Sequence, residues 1–226
     1  MKAHEVVMAW VTEELTSGRL RIGDRLPGER TLAETLEVSR ASLREALRVL
    51  EALGVIRSAT GSGPNAGTIV TAAPAQALSL ALNLQLATSH VEHRHIAEVR
   101  EVLETWAARH SDATLGDWST AEHLLTIMDD PGLPIEHFLA HDAQFHVALS
   151  RAADNPLIST LMEAMRISIS EHTVARAQAI PDWHSTAARL RQEHRAILEA
   201  LRGGDRETGA ELLRAHIEGY SRETER

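Results

Sequence analysis

Residues 26–56 read LPGERTLAETLEVSRASLREALRVLEALGVI. Apolar residues recur there at helical spacing in two runs, about 29–36 and 40–53, parted by a turn of a few residues. Ser39 stands as the N-cap of the second run and Gly54 as its C-terminal stop, while Gly28 caps the first. Past the stop, Ile56–Ala59 and 68–72 read as short strands about a glycine-rich loop. Two helices, a tight turn and a hairpin predict a winged helix-turn-helix, whose second helix enters the major groove of DNA.

Arg40, Arg44 and Arg48 follow at intervals of four and share one face of that second helix. Leu43, Leu47 and Leu50 hold the other face against Leu32, Leu36 and Val38. The arginines can reach guanine edges or phosphates, and Ser39 and Ser42 can donate to phosphate at the helix N-terminus. Arginines at this spacing are also common on ordinary solvated helices, so the reading depends on the pattern around them.

Working outward, residues 4–16 form an amphipathic helical pattern, with Val7, Trp10, Val11 and Leu15 on one side. The 226-residue chain has a net charge of −9, which suits a DNA binder poorly until it is divided. Residues 1–72 hold nine Lys and Arg against nine Asp and Glu, whereas 73–226 hold fourteen against twenty-three and carry twelve of the thirteen histidines. Only the first part can approach phosphates without repulsion. No cysteine is present, which excludes disulfides and thiolate metal sites and fits a reducing cytoplasm. Neither a signal peptide nor a membrane span is visible.

Residues 73–77 are expected as a linker, and 78–226 as an all-α antiparallel bundle. Helices are predicted at roughly 75–89, 92–110, 117–129, 135–153, 156–178, 183–202 and 205–221, broken at Gly, Pro, Asp and Asn clusters. In the first of these, Leu78, Leu80, Leu82, Leu84 and Leu86 alternate as in a strand, yet the Ala/Leu composition predicts a buried helix.

Asp142 and His146 lie four apart and share a helical face. His194 and His216 flank Gly203, Gly204 and Asp205 at nearly equal distances, so two antiparallel helices bring them to the same height. One carboxylate and three imidazoles suit a divalent metal, zinc first, with nickel or manganese as alternatives. Spacing alone leaves a surface Asp/His pair open. His90, His93 and His95 share no single face and read as a polar loop and helix start, and His141 reads as solvated or supporting.

The run Leu26, Pro27, Gly28, Glu29, Arg30, then Leu32, Ala33, Val38, Ser39, Arg40, Leu43, Arg44, Leu47, Leu50, Glu51 and Gly54 resembles the winged helix of GntR-family bacterial transcription regulators. The likeness implies that Arg30, Arg40 and Arg44 contact DNA, with Gly67 at the wing tip near the minor groove. Gly28 departs from the family's usual serine cap, and the loop departs more: no Lys or Arg occurs between Arg57 and Arg94. The second half resembles the FCD ligand-binding domain of the FadR subfamily. That resemblance implies a metal on Asp142, His146, His194 and His216. It also implies that Arg100, in EVREVLE, pairs with an effector carboxylate, against the plainer alternative of a surface pair with Glu104.

These expectations combine into a cytoplasmic, homodimeric transcription factor on a double-stranded operator, probed by a small organic acid beside the metal. Repression relieved by the acid is the expected sign. A metal-dependent hydrolase or lyase on the same four residues is the main alternative, and a structural or signalling metal is a third.

Overall fold

Val7 and Val11, one turn apart on the first helix, are fully buried against Leu32, Leu43 and Leu50, and this contact organises the N-terminal part of the molecule. The computed structural model describes residues 3–59, 67–71, 73, 75–87 and 92–224. These fall into two compact units, Met1–Ala77 and Leu78–Arg226.

The first unit contains α1 (Ala3–Thr16), α2 (Glu29–Thr35), α3 (Arg40–Ala52), β1 (Ile56–Ala59) and β2 (Gly67–Val70). Leu43 is completely buried, so its truncation to Ala would cost about 2–5 kcal/mol. The turn between α2 and α3 uses a left-handed residue, Glu37 at φ 53, in a region that favours glycine. Ser39 then caps α3, its Oγ accepting from the Ser42 amide at 3.0 Å. Gly54, at φ 70, ends the helix and lets the Val55 amide reach back to the Leu50 carbonyl at 2.9 Å. The strands pair antiparallel from Ile56↔Val70 to Ala59↔Gly67. Residues 23–26 run along the other edge of β2, where the Leu26 amide donates to the Thr68 carbonyl and the Val70 amide to the Asp24 carbonyl.

The second unit is helical: α4 (Ala75–Ala87), which begins in the first unit, then α5 (His93–Arg109), α6 (Trp118–Met128), α7 (Ile135–Ser150), α8 (Pro156–Ala177), α9 (Trp183–Arg202) and α10 (Arg206–Thr224). Side-chain oxygens of Asp117, Asn155 and Asp182 cap α6, α8 and α9. Phe138, Phe145, Met128, Leu190, Ile197, Leu201 and Leu213 lie at the centre of its core. α9 and α10 form a hairpin turning at Gly203, Gly204 and Asp205, and α10 also packs along α5. A methyl group at Gly209 would lie 2.3 Å from Leu201 Cδ2, so glycine is what lets α10 lie down on α9.

Two expectations need correcting. The stretch 73–77 is not wholly a linker, because α4 starts at Ala75. α4 is helical but not buried: Leu78, Leu80, Leu82 and Leu84 are all exposed. A two-residue alternation cannot gather leucines on one face of a 3.6-residue helix, so they are spread around its circumference.

Candidate metal centre and nucleic-acid interface

On α3 the side chains of Arg40 and Arg44 are exposed and make no ion pair among the described residues. Arg48 lies 3.5 Å from Glu45, and Arg30, on α2, lies 3.1 Å from Glu34. Both pairs are exposed and therefore worth little, so phosphate can displace them. Ser39 Oγ is already engaged as the cap and lies 2.9 Å from Ser42 Oγ. Gly67 pairs with Ala59 at the last register position of the hairpin, and the expected wing loop, 60–66, lies outside the described residues. A contact that spacing did not reveal is Glu51, near the C-terminal end of α3. Its carboxylate accepts from the Ser58 amide at 2.7 Å and so ties β1 to α3.

In the second unit α7, α9 and α10 bring Asp142, His146, His194 and His216 together, with one ligating atom from each within 4.8 Å of all the others. His194 Nε2 lies 3.0 Å from Asp142 Oδ1 and 3.3 Å from His216 Nε2. All three imidazoles are buried, and Phe145 packs 4.8 Å from the His194 ring. His146 Nε2 is buried with no hydrogen-bond partner among the described residues, an expensive state for a polar atom unless something else satisfies it. Orphaned nitrogen, converging lone pairs and one carboxylate fit a divalent cation.

Two further carboxylates hold the outer nitrogens: Glu104, which the sequence reading places only beside Arg100, and Glu193, which it does not single out. His146 Nδ1 donates to Glu104 Oε2 at 2.5 Å, and His216 Nδ1 donates to Glu193 Oε2 at 2.7 Å. Each bond places the proton on Nδ1 and leaves Nε2 free to ligate. The Arg100–Glu104 pair is real, at 2.9 Å, but it is buried rather than superficial. His95 accepts from the Glu92 amide in the capping box of α5, whereas His90 and the His93 side chain lie outside the described residues. Of the two readings of His141, solvated or supporting, full solvation does not hold: it is half-buried, and its Nδ1 has no partner among the described residues.

Charge follows the same geometry. Burial pushes the Asp142 carboxyl up, but the His194 hydrogen bond and the neighbouring imidazoles outweigh it and hold the group well below the usual carboxylate range. Glu104 is likewise raised by burial yet drawn down to about 2 by His146 and Arg100. Burial dominates for His216, which falls to about 4, and lowers His194 as well. Neutral imidazoles beside ionised carboxylates are the protonation states a cation needs.

A cavity opens beside the cluster, walled by Arg100, Asp142, His146, Arg166 and Tyr220 together with two methionines. It is tight, with about 20 Å³ open to the centre of a water molecule, room for very few atoms. The Tyr220 hydroxyl has no hydrogen-bond partner among the described residues, and burial followed by the Asp142 charge raises its pKa, so it stays a protonated donor.

Comparison with known proteins matches residues 3–64 to the bacterial regulatory proteins of the gntR family and residues 95–219 to the FCD domain. The HTH-type transcriptional regulator YcbG of Bacillus subtilis is 31% identical over 162 residues, spanning 72% of this chain and 66% of that protein. LutR, an HTH-type transcriptional regulator of the same organism, is 28% identical over 90% of this chain and 92% of its own length. The solved structure of a Streptococcus agalactiae GntR protein superposes with a TM-score of 0.64 at 21% identity, covering 97% of this chain and 99% of that one, and shares the fold. YcbG and LutR are both named as HTH-type transcriptional regulators. Among the described residues no helix is long and apolar enough to cross a membrane.

Proposed function

We propose, since the chain belongs to the GntR family of bacterial transcription regulators and carries an FCD domain, that it is a homodimeric repressor released from its operator by a small carboxylic acid. The acid would bind in the second unit, beside a divalent metal held by Asp142, His146, His194 and His216. The observation that carries this reading is that these four residues converge within 4.8 Å and that two of them share a cavity wall with Arg100. Zinc suits one carboxylate and three imidazoles; nickel and manganese accept the same donors. A cation bound there supplies positive charge to an anionic ligand. Arg100 and the Tyr220 hydroxyl supply donors for the ligand's oxygens, and the narrow cavity selects a short acid.

In the first unit, Arg40 and Arg44 enter the major groove, with Arg30, Ser39 and Ser42 toward the phosphates and Gly67 in the wing. A dimer places two such helices on a pseudo-palindromic operator in the cytoplasm, associating with the nucleoid when DNA-bound. The acid favours the arrangement of heads that fits the operator less well, and typical coupling of about 1–3 kcal/mol suffices.

The test is a thermal-shift series of two- to four-carbon acids with and without a chelator, paired with operator binding. Native-state binding raises the unfolding temperature by mass action. A stabilising acid whose effect disappears with chelator, and which weakens operator binding, supports the proposal. No chelator-sensitive stabilisation by any acid would defeat it.

A further inference from the structure

Two Arg–Glu–His chains of the same design flank the cluster. On α5, Arg100 Nε donates to Glu104 Oε1 at 2.9 Å, while His146 Nδ1, from α7, donates to Glu104 Oε2 at 2.5 Å. On α9, Arg189 Nη1 donates to Glu193 Oε1 at 2.6 Å, while His216 Nδ1, from α10, donates to Glu193 Oε2 at 2.7 Å. In both, arginine and glutamate stand four apart on one helix, and the glutamate divides its two oxygens between a guanidinium and an imidazole. The third imidazole has no such support: His194 Nδ1 is buried without a partner among the described residues.

The settings differ. Glu104 is 3% exposed and its arginine lines the cavity. Glu193 and Arg189 are about a third exposed, and Arg189 is shared with Glu223. One chain therefore ends in the cavity, the other near solvent.

We propose that Glu104 is a positioning residue that couples Arg100, in the cavity wall, to metal affinity at His146, whereas Glu193 holds His216 without a link to the cavity. This rests on reading Asp142, His146, His194 and His216 as a metal centre. A carboxylate that accepts Nδ1–H fixes the tautomer and makes Nε2 a better donor to metal. When its other oxygen is tied to a guanidinium, its charge is partly spent, and the imidazole gains less. An anion that draws Arg100 toward itself returns that charge to His146 and tightens the cation. By reciprocity, the cation then tightens the anion.

The experiment uses the metal-free 226-residue chain and Zn²⁺ alone, with affinity read by competition against a chromogenic chelator. Glu104→Gln should weaken Zn²⁺ by about 10–100-fold. Arg100→Met should tighten it several-fold in the parent chain and much less in the Glu104→Gln background. Equal effects of Arg100→Met in both backgrounds, or a Glu104→Gln affinity within about twofold of the parent where 10–100-fold is the outer-carboxylate norm, would overturn the coupling. Should Glu104→Gln fail to fold, long-range ¹H–¹⁵N spectra of the unsubstituted metal-free chain decide. Protonation of His146 and His216 on Nδ1 supports the two chains of bonds, and protonation of His146 on Nε2 refutes them. His194→Ala separates the premises. Parent and His194→Ala chains that bind Zn²⁺ equally remove the metal centre and this proposal together, whereas a His194-dependent site indifferent to Glu104 removes only the coupling.

Discussion

Among the described residues Arg40 and Arg44, unlike Arg30 and Arg48, have no carboxylate partner, so on the proposed reading they would meet DNA without first breaking a contact. Arg44→Ala should reduce operator affinity by about 1–3 kcal/mol while leaving the circular dichroism spectrum unchanged. Undiminished binding in a fluorescence-anisotropy titration would contradict the recognition-helix assignment. His216 invites a test of a different kind. It faces Asp142, His146, Glu193 and His194, and burial holds its folded pKa at about 4 against the ordinary 6.5. The unfolded chain thus binds the extra proton first. The stability His216 contributes is complete above pH 6.5, is lost as pH falls toward 4, and amounts to something on the order of 3 kcal/mol. Urea midpoints of the metal-free protein should fall across that window, and a midpoint flat from pH 7 to 4.5 would exclude the assignment.

At the scale of elements, the close approach of α9 and α10 sets the site. Gly209 lies against Leu201 and fixes the register that brings His194 and His216 to one level. Gly209→Ala places a methyl 2.3 Å from Leu201 Cδ2, so either the buried Leu201 side chain turns aside or α10 lifts. We expect a loss of about 1–3 kcal/mol in chemical denaturation and, where α10 lifts, weaker metal binding because His216 shifts with its helix. That hairpin was legible in the sequence, since caps, glycines and helical rise are local properties. The helix-turn-helix was legible for the same reason, through Ser39, Gly54 and the leucine spacing. Glu104 and Glu193 were not: each reaches an imidazole on another helix, 42 and 23 residues away, and nothing in spacing reports such a bond. α4 was half legible, because composition reports helicity but not what a helix rests against.

For the whole molecule, the division into two units separates the consequences of metal loss. Each unit has its own apolar core, and all four candidate ligands belong to the second. Chelation should therefore lower the calorimetric transition of the helical unit and leave that of the DNA-reading unit in place. At a cation concentration of about a hundred times Kd the difference is about 2.7 kcal/mol. A scan in which chelator moves neither transition would argue against the centre. The cluster also joins α7, α9 and α10 in a chain that contains no cysteine. Where other proteins secure distant segments with a disulfide, a cation held by these four residues would be a cross-link that involves no thiol. Such a fastening would answer instead to acidity and to competition for trace metal, and would make metal supply a determinant of how long the helical unit survives proteolysis.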